Sequence, residues 1–418
     1  MALDRLDRVL LRSLQELEAQ GRRKGEETII CGIKAAGAGH GPRCFLVGYG
    51  DREFLSMNSN SYLGLTHHPQ VIAAEENAAR EFGTGPGAVR FISGTYQPHI
   101  TLEKQLAGFH GREAAMIFSA AYAAIMGVLP QLINEETIVL SDALNHNCII
   151  NAIRLAKPAH KHIYQHLDMG DLEEKIKDCI GQAQRLLVVT DGIFSMRGDF
   201  APLDEITSLC RRHEERFAQG IVTVVDDSHG TGAFGQTGRG VEEFTNSRAD
   251  ILVATLGKAL GVNGGYVVAN RTVIDFLRET SPFYVYSNPI TPSEAAAAIQ
   301  SLMLLDSREG RNLLDRLRTL TRRFETGLQD LGFEIMAGEH PIVPLMIRET
   351  QKTADLVHYL FAHNILATGL NFPVVPKGDE EIRFQISASH TEKDIDYVLI
   401  VLAEFARHEH SPRQGEYA

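Results

Sequence analysis

Lys258 offers the most chemistry of any residue in the chain. It lies in Ala254-Thr-Leu-Gly-Lys258-Ala, after an apolar run and before the glycine-rich Gly261-Val-Asn-Gly264-Gly265. A lysine is ordinarily a solvated surface residue. One that leaves a buried strand end among small residues loses proton affinity and can form an imine with a carbonyl. Upstream, Val224-Val-Asp226-Asp-Ser-His229-Gly-Thr-Gly232 sets an acid and an imidazole three residues apart, so both could reach over one planar ligand. A carboxylate facing a pyridine nitrogen keeps that nitrogen protonated and makes the ring an electron sink. The same spacing also suits a helix cap with a satisfied histidine. Two adjacent acids admit a metal reading, but no further ligand spacing supports it.

Ser141-Asp-Ala-Leu-Asn-His146 follows another strand-like run, and His146 could stack on a flat ring, although a single histidine is more often structural. Ser119-Ala-Ala121-Tyr122-Ala opens a helix after a strand, where backbone N–H groups and the helix dipole can cradle a phosphate. Gly83-Thr-Gly-Pro-Gly87-Ala-Val89-Arg90 has neither the spacing nor the strand-to-helix placement of a dinucleotide loop. Its glycines point instead to a conformationally special turn.

These residues need strands to carry them. Short apolar runs at 114–118, 137–140, 185–190, 221–225, 251–255 and 265–269 alternate with longer helical patterns. The alternation predicts an α/β fold with a mostly parallel central sheet covered by helices. Several runs end in polar residues, among them Ser119, Asp142, Asp191, Asp226 and Thr255, and ligands bind beyond the carboxyl ends of such strands. One shared site is therefore expected. Beyond residue 300 the pattern becomes a long helix at 308–331, strand-like 333–336, 342–347, 365–368 and 382–387, and a final helix from Glu392, a smaller α+β module. The expected organisation is 1–56 as an N-terminal helix and extension packing on the small domain, 57–295 as the large domain and 296–418 as the small one.

A chain of 418 residues exceeds one ordinary core and can bury a deep site. A net charge of −12 without a long Lys/Arg run argues against nucleic acid or an anionic membrane as the main partner. The amphipathic N-terminus mixes acids with bases and has no cleavage-site pattern, so it reads as neither a signal nor a transit peptide. No apolar stretch approaches the roughly 20 residues of a spanning helix. Five cysteines without ligand spacing suggest free thiols and a cytoplasmic setting.

Taken together, the segments resemble the α-oxoamine synthase family of fold-type I pyridoxal 5'-phosphate (PLP) enzymes, from about Met57 to His390. The resemblance is carried by Asn58-Ser-Asn60-Ser-Tyr-Leu-Gly-Leu, Arg90-Phe-Ile-Ser-Gly-Thr, residues 141–146, Thr190-Asp-Gly-Ile-Phe-Ser195-Met, residues 225–232, residues 255–259 and Arg383-Phe-Gln-Ile-Ser. It implies that Lys258 holds the cofactor as a Schiff base and that Asp226 pairs with the pyridine nitrogen. His229 and Ser195 would lie near the phenolic oxygen, and His146 would stack on the ring. Thr255 and the amides of Ala121 and Tyr122 would hold the phosphate. Asn60 and Arg383 would hold the amino-acid carboxylate, a task suited to the planar fork of arginine. Val89 would lie close to the bound amino acid, and the chain would form a homodimer.

The implied reaction is a decarboxylative Claisen condensation of a small amino acid with an acyl-CoA, yielding an α-aminoketone, CoA and carbon dioxide. Residues 141–155, His166-Leu-Asp-Met and residues 372–378 look most like the members that use glycine and acetyl-CoA. Ala121-Tyr-Ala and the short 261–265 loop depart from those members and look more like other branches of the family. A PLP aminotransferase would share Lys258 and Asp226 but need no acyl-CoA site. A silent scaffold on this fold would have lost the lysine.

Overall fold

The computed structural model describes residues 2–20, 22–23, 26–372 and 375–410. Pro373 and Val374, part of the 372–378 segment, lie outside the described residues. The chain divides into two compact units: Met1–Ser59 with Leu320–Ala337 and Ile342–Ala418, and Asn60–Thr319 with Gly338–Pro341.

In the first unit, the helix Ala2–Ala19 is amphipathic as expected but buries none of its residues, leaving Leu3, Leu6, Leu10 and Leu14 exposed. The anchoring falls on the segment after it. Strands β1 (Ile30–Lys34) and β2 (Arg43–Leu46) pair antiparallel, and β3 (Leu55–Ser56) follows. The buried Asp394 carboxylate accepts from Arg43 Nη2 at 2.5 Å and from Gly41 N at 2.8 Å. Leu46 and Phe54 join Leu366 in a small core.

The second unit is built on a seven-stranded sheet. Its strands are β4 (Ala114–Phe118), β5 (Thr137–Asp142), β6 (His160–Tyr164), β7 (Arg185–Asp191), β8 (Ile221–Asp226), β9 (Ile251–Thr255) and β10 (Gly265–Ala269). The spatial order is β4-β10-β9-β8-β7-β5-β6. Only β10 runs antiparallel to its neighbours. Side chains alternate between faces. Val139, Leu187 and Val189 pack with Ile125, Val128 and Ile149 on one side, while Ile138, Leu140 and Val188 pack with Ile176, Ile206 and Phe217 on the other. Burial on both faces explains why the central strands read as continuous apolar runs. The edge strand β6 has no such run, because its first four residues are exposed.

Helix Pro292–Leu305 packs on Pro69–Phe82 and Gln97–Phe109, so the division between the units falls inside the helix Arg308–Asp330, later than residue 295. The first unit adds β11 (Ile342–Met346), β12 (Ile365–Leu366), β13 (Thr368–Leu370) and β14 (Glu381–Gln385). The order β11-β14-β13 forms an antiparallel sheet, and β12 pairs with β3 in parallel. The run at 365–368 is therefore shared between two sheets, and 333–336 makes only an isolated bridge from Ile335 to Leu345. Among the described residues, no helix is long and apolar enough to cross a membrane.

Candidate active site

Parallel strands present their carboxyl ends on the same side, and here the ends of β4, β5, β7, β8 and β9 surround a cavity of about 280 Å³. Its walls include Lys258, Asp226, His229 and His146, together with Ser195, Thr255, Ala121 and Tyr122. Residues from 121 to 258, separate in sequence, are brought together by the sheet order alone.

Asp226 ends β8, and its Oδ1 accepts from Ser228 N at 3.1 Å and from Ser228 Oγ at 2.5 Å. Its Oδ2 takes the Cys148 thiol at 3.7 Å. Three donors on one buried acid suit a carboxylate. Asp227 is different. It does not line the cavity, and its Oδ2 accepts from Val241 N at 3.0 Å. A Cβ at Gly192, Gly230 or Gly240 would sit within 2.4 Å of its carboxyl oxygens. Burial raises the Asp227 carboxyl well above the usual range, as expected of an acid caged by backbone.

His229 Nδ1 meets the Tyr62 hydroxyl at 2.8 Å, and the His229 carbonyl accepts from His340 Nε2 at 2.9 Å. His146 caps the helix Asn147–Ala156, and its own N–H donates to Asp191 Oδ2 at 3.1 Å. Burial, with help from the Lys258 charge and against the pull of Asp226, lowers the His146 pKa and keeps the imidazole neutral.

Helix Ala121–Leu132 begins at the cavity with Ala120 as its N-cap, which supplies no side-chain acceptor. Its first N–H groups are the kind that a helix leaves for an anion. Gly265, opposite Phe118 in β4, lets this helix approach, since a Cβ there would fall 2.2 Å from Ala121 N. The Thr255 hydroxyl donates to Gly264 O at 3.1 Å and accepts from Gly257 N at 3.0 Å, bracing the turn that carries Lys258. Lys258 is half-buried, and Gly261 N donates to its carbonyl at 3.0 Å.

Five cavity residues were not among the candidate site residues: Ala120, Cys148, Asp191, Ile193 and Ser228. Asp191 had a signal, as the polar end of a strand, but pairing it with Asp226 required the register of β7 on β8. Asn60, Val89 and Arg383 are not among the cavity's walls. Asn60 Oδ1 accepts from the Tyr62 hydroxyl at 3.3 Å, which links it to His229. Val89 belongs to its own turn, where its carbonyl accepts from Gly94 N at 3.1 Å. Arg383 lies on β14, in register with Pro344 and Thr368.

The family model described as aminotransferase class I and II matches residues 52–402. Human mitochondrial 2-amino-3-ketobutyrate coenzyme A ligase is 41% identical over 357 residues, covering 84% of this chain and 83% of the relative. The 8-amino-7-oxononanoate synthase of Thermosipho melanesiensis is 38% identical over 350 residues, covering 83% of this chain and 87% of the relative. A solved serine palmitoyltransferase from Sphingomonas wittichii matches with a TM-score of 0.85 at 28% identity, covering 96% of each chain. With its mostly parallel sheet, its lysine beyond β9 and relatives of this kind along most of its length, the chain belongs to the α-oxoamine synthases, PLP-dependent fold-type I transferases of the class I and II aminotransferase family.

Proposed function

We propose that this chain joins glycine to acetyl-CoA with loss of carbon dioxide, using PLP in the cavity, to give an α-aminoketone and CoA. The observation that carries the reading is the meeting of Lys258, Asp226, His229 and His146 around one cavity that also receives an uncapped helix start. These residues fit the cofactor: the amides of Ala121 and Tyr122 suit its phosphate, and Asp226 suits a ring nitrogen that must keep its proton.

When bound, PLP supplies a carbonyl for an amine to hold and a protonated ring that draws electrons from the substrate's α-carbon. Lys258 is that amine. Once the amino acid's own amine has displaced it, its freed Nζ would be the base that takes the proton from the α-carbon and returns one after carbon dioxide has left. Asp226, held by Ser228 and Cys148, keeps the ring-nitrogen proton in place. His146 presents a flat, neutral face without adding a second positive charge beside Lys258. Tyr62 sets the orientation of the His229 ring, and Ser195 also lines the cavity. Asn60 and Arg383 take the amino-acid carboxylate, and Val89 limits the substrate side chain, as the family resemblance implies.

A second reading, a longer acyl donor, is favoured by the near-equal identity to 8-amino-7-oxononanoate synthases, 38% against 41%. Assembly as a homodimer is supported by the exposure of Phe91 and Ile92, 68% each, and of Tyr286, 80%. The deciding experiment is a matrix of amino acids against acyl-CoAs, following free thiol and carbon dioxide. Glycine with acetyl-CoA should give the highest kcat/KM. Amino-group exchange with a keto acid and no carbon dioxide would overturn the reading in favour of an aminotransferase.

A further inference from the structure

The segment His166-Leu-Asp-Met lies outside the cavity lining, yet His166 sits between two loops that reach the cavity. Its Nδ1 is 2.9 Å from Asp142 Oδ1, at the end of β5, and its Nε2 is 3.1 Å from Asp199 Oδ2, in the turn after β7. The ring meets Phe194 edge-on, with centroids 4.4 Å apart and planes at 86°.

A neutral imidazole has one N–H and would turn a lone pair on one of the two acids. Only the imidazolium donates to both. The acids are equipped to stay ionised: Asp142 also accepts from Leu144 N at 2.8 Å and Leu167 N at 3.1 Å, and Asp199 accepts from Arg197 Nε at 3.0 Å. Two carboxylates, one imidazolium and one guanidinium balance in charge. On the same segment as His166, Asp168 turns instead to the helix Met169–Asp178, accepting from Asp171 N at 2.9 Å. Burial works against a charged ring, but hydrogen bonds and attraction from Asp142 and Asp199 prevail and raise its pKa from 6.5 to about 9.

Each acid belongs to a loop with a cavity residue. Leu144, held by Asp142, stands two residues before His146. Phe194 N donates to Asp199 O at 3.0 Å and Gly198 N to Phe194 O at 2.8 Å, closing the turn that brings Ser195 to the cavity. We propose that His166 is an ionic clamp: as an imidazolium it ties the loop of His146 to the turn of Ser195 and fixes these two cavity residues relative to each other. It is a positioning residue, acting through Asp142 and Asp199. Its effect on turnover rests on the PLP reading, but the clamp itself does not.

The test has two arms. The first is amide hydrogen exchange in the full-length protein without added cofactor. In His166→Gln, residues 193–200 should exchange about tenfold faster than in the wild type, because a neutral side chain cannot serve both carboxylates. The second arm is the pH profile of kcat. The wild type should lose activity with an apparent pKa of about 9 as the ring gives up its proton. Asp199→Asn keeps an acceptor but removes a charge, so this alkaline limb should move down by about half a pH unit or more, with kcat at neutral pH lowered about two- to fivefold. His166→Gln should lose the limb and about 10- to 100-fold in kcat, the scale of a small misplacement. A merely structural defect would lower activity without moving the limb. Unchanged exchange at 193–200 in His166→Gln, or an Asp199→Asn profile that overlays the wild type, overturns the proposal. Should His166→Gln fail to fold, the Asp199→Asn profile and its exchange at 193–200 decide it. Wild-type protein that takes up no PLP would sink the cofactor reading, leaving the exchange arm to judge the clamp.

Discussion

The Tyr62 hydroxyl and His229 Nδ1 lie 2.8 Å apart, joining the start of the second unit to the loop after β8. The same hydroxyl reaches Asn60 Oδ1 at 3.3 Å, so one phenol ties a proposed substrate ligand to a proposed cofactor ligand. Tyr62→Phe removes both bonds and leaves the buried imidazole one partner short. Stability should fall by about 1–3 kcal/mol. Turnover should fall further than stability explains, because the His229 ring loses its fixed orientation. Denaturant titration and steady-state kinetics on the same preparation separate the two effects, and an unchanged kcat would remove Tyr62 from the machinery.

Lys258 should carry the cofactor. The protein is expected to be yellow, and borohydride should trap the cofactor on this residue. Peptide mapping after reduction reads the site directly. Label found on any other lysine would show the assignment to be wrong.

Asp226 and Asp227 should respond to the same change to different degrees. Asp226→Asn replaces an acceptor that serves three donors and cannot hold a ring-nitrogen proton as a carboxylate does. A loss of roughly 10²- to 10³-fold in kcat is expected with the fold retained. Asp227→Asn substitutes an amide for an acid that burial already favours as neutral, so it should be the milder of the two. Comparable losses in both variants would contradict the distinction drawn from the cavity lining.

His166 predicts a pH dependence of stability. Its Nδ1 lies 2.9 Å from Asp142 Oδ1 and its Nε2 3.1 Å from Asp199 Oδ2. Burial opposes the charged ring, but hydrogen bonds and charge attraction from the two acids outweigh it and raise the pKa from 6.5 to about 9. A raised folded-state pKa gives stability that is fully present below 6.5 and is lost as pH climbs toward 9. Water still reaches the ring and Asp199, so the loss should be about 1–2 kcal/mol, less than the full shift implies. Chemical denaturation across that window checks it. His166→Gln should start lower and lose less over the same pH rise.

Val89 and Arg383 test the substrate end. Val89→Ala should improve alanine relative to glycine if a stiff β-branched wall limits the side chain, since a methylene of crowding is worth about 10- to 200-fold. Arg383→Lys should mainly raise the amino-acid KM, because a point charge cannot reproduce a planar fork. An unchanged KM in the lysine variant would mark Arg383 as a strand residue without a substrate role.

The amino-acid sequence by itself determined the α/β architecture and eight of the cavity's walls. Buried parallel strands write themselves as apolar runs with polar ends, and Lys258, Asp226 and His146 each follow such a run. Where burial is one-sided or slight, the signal fades. Strand β6 escaped notice because its residues are mostly exposed, and 333–336 looked like a strand while making only one bridge. The helix Ala2–Ala19 shows its amphipathic pattern plainly, yet pattern alone does not say what covers the apolar face. The tertiary structure decided what depends on register and long-range approach. Asp191 faces Asp226 only because β7 lies beside β8, and Tyr62 meets His229 across 167 positions of chain. Local sequence encodes whether a residue is buried and which way its strand runs. Which two buried polar groups become neighbours is set by the order in which strands assemble, and that order is a property of the whole core.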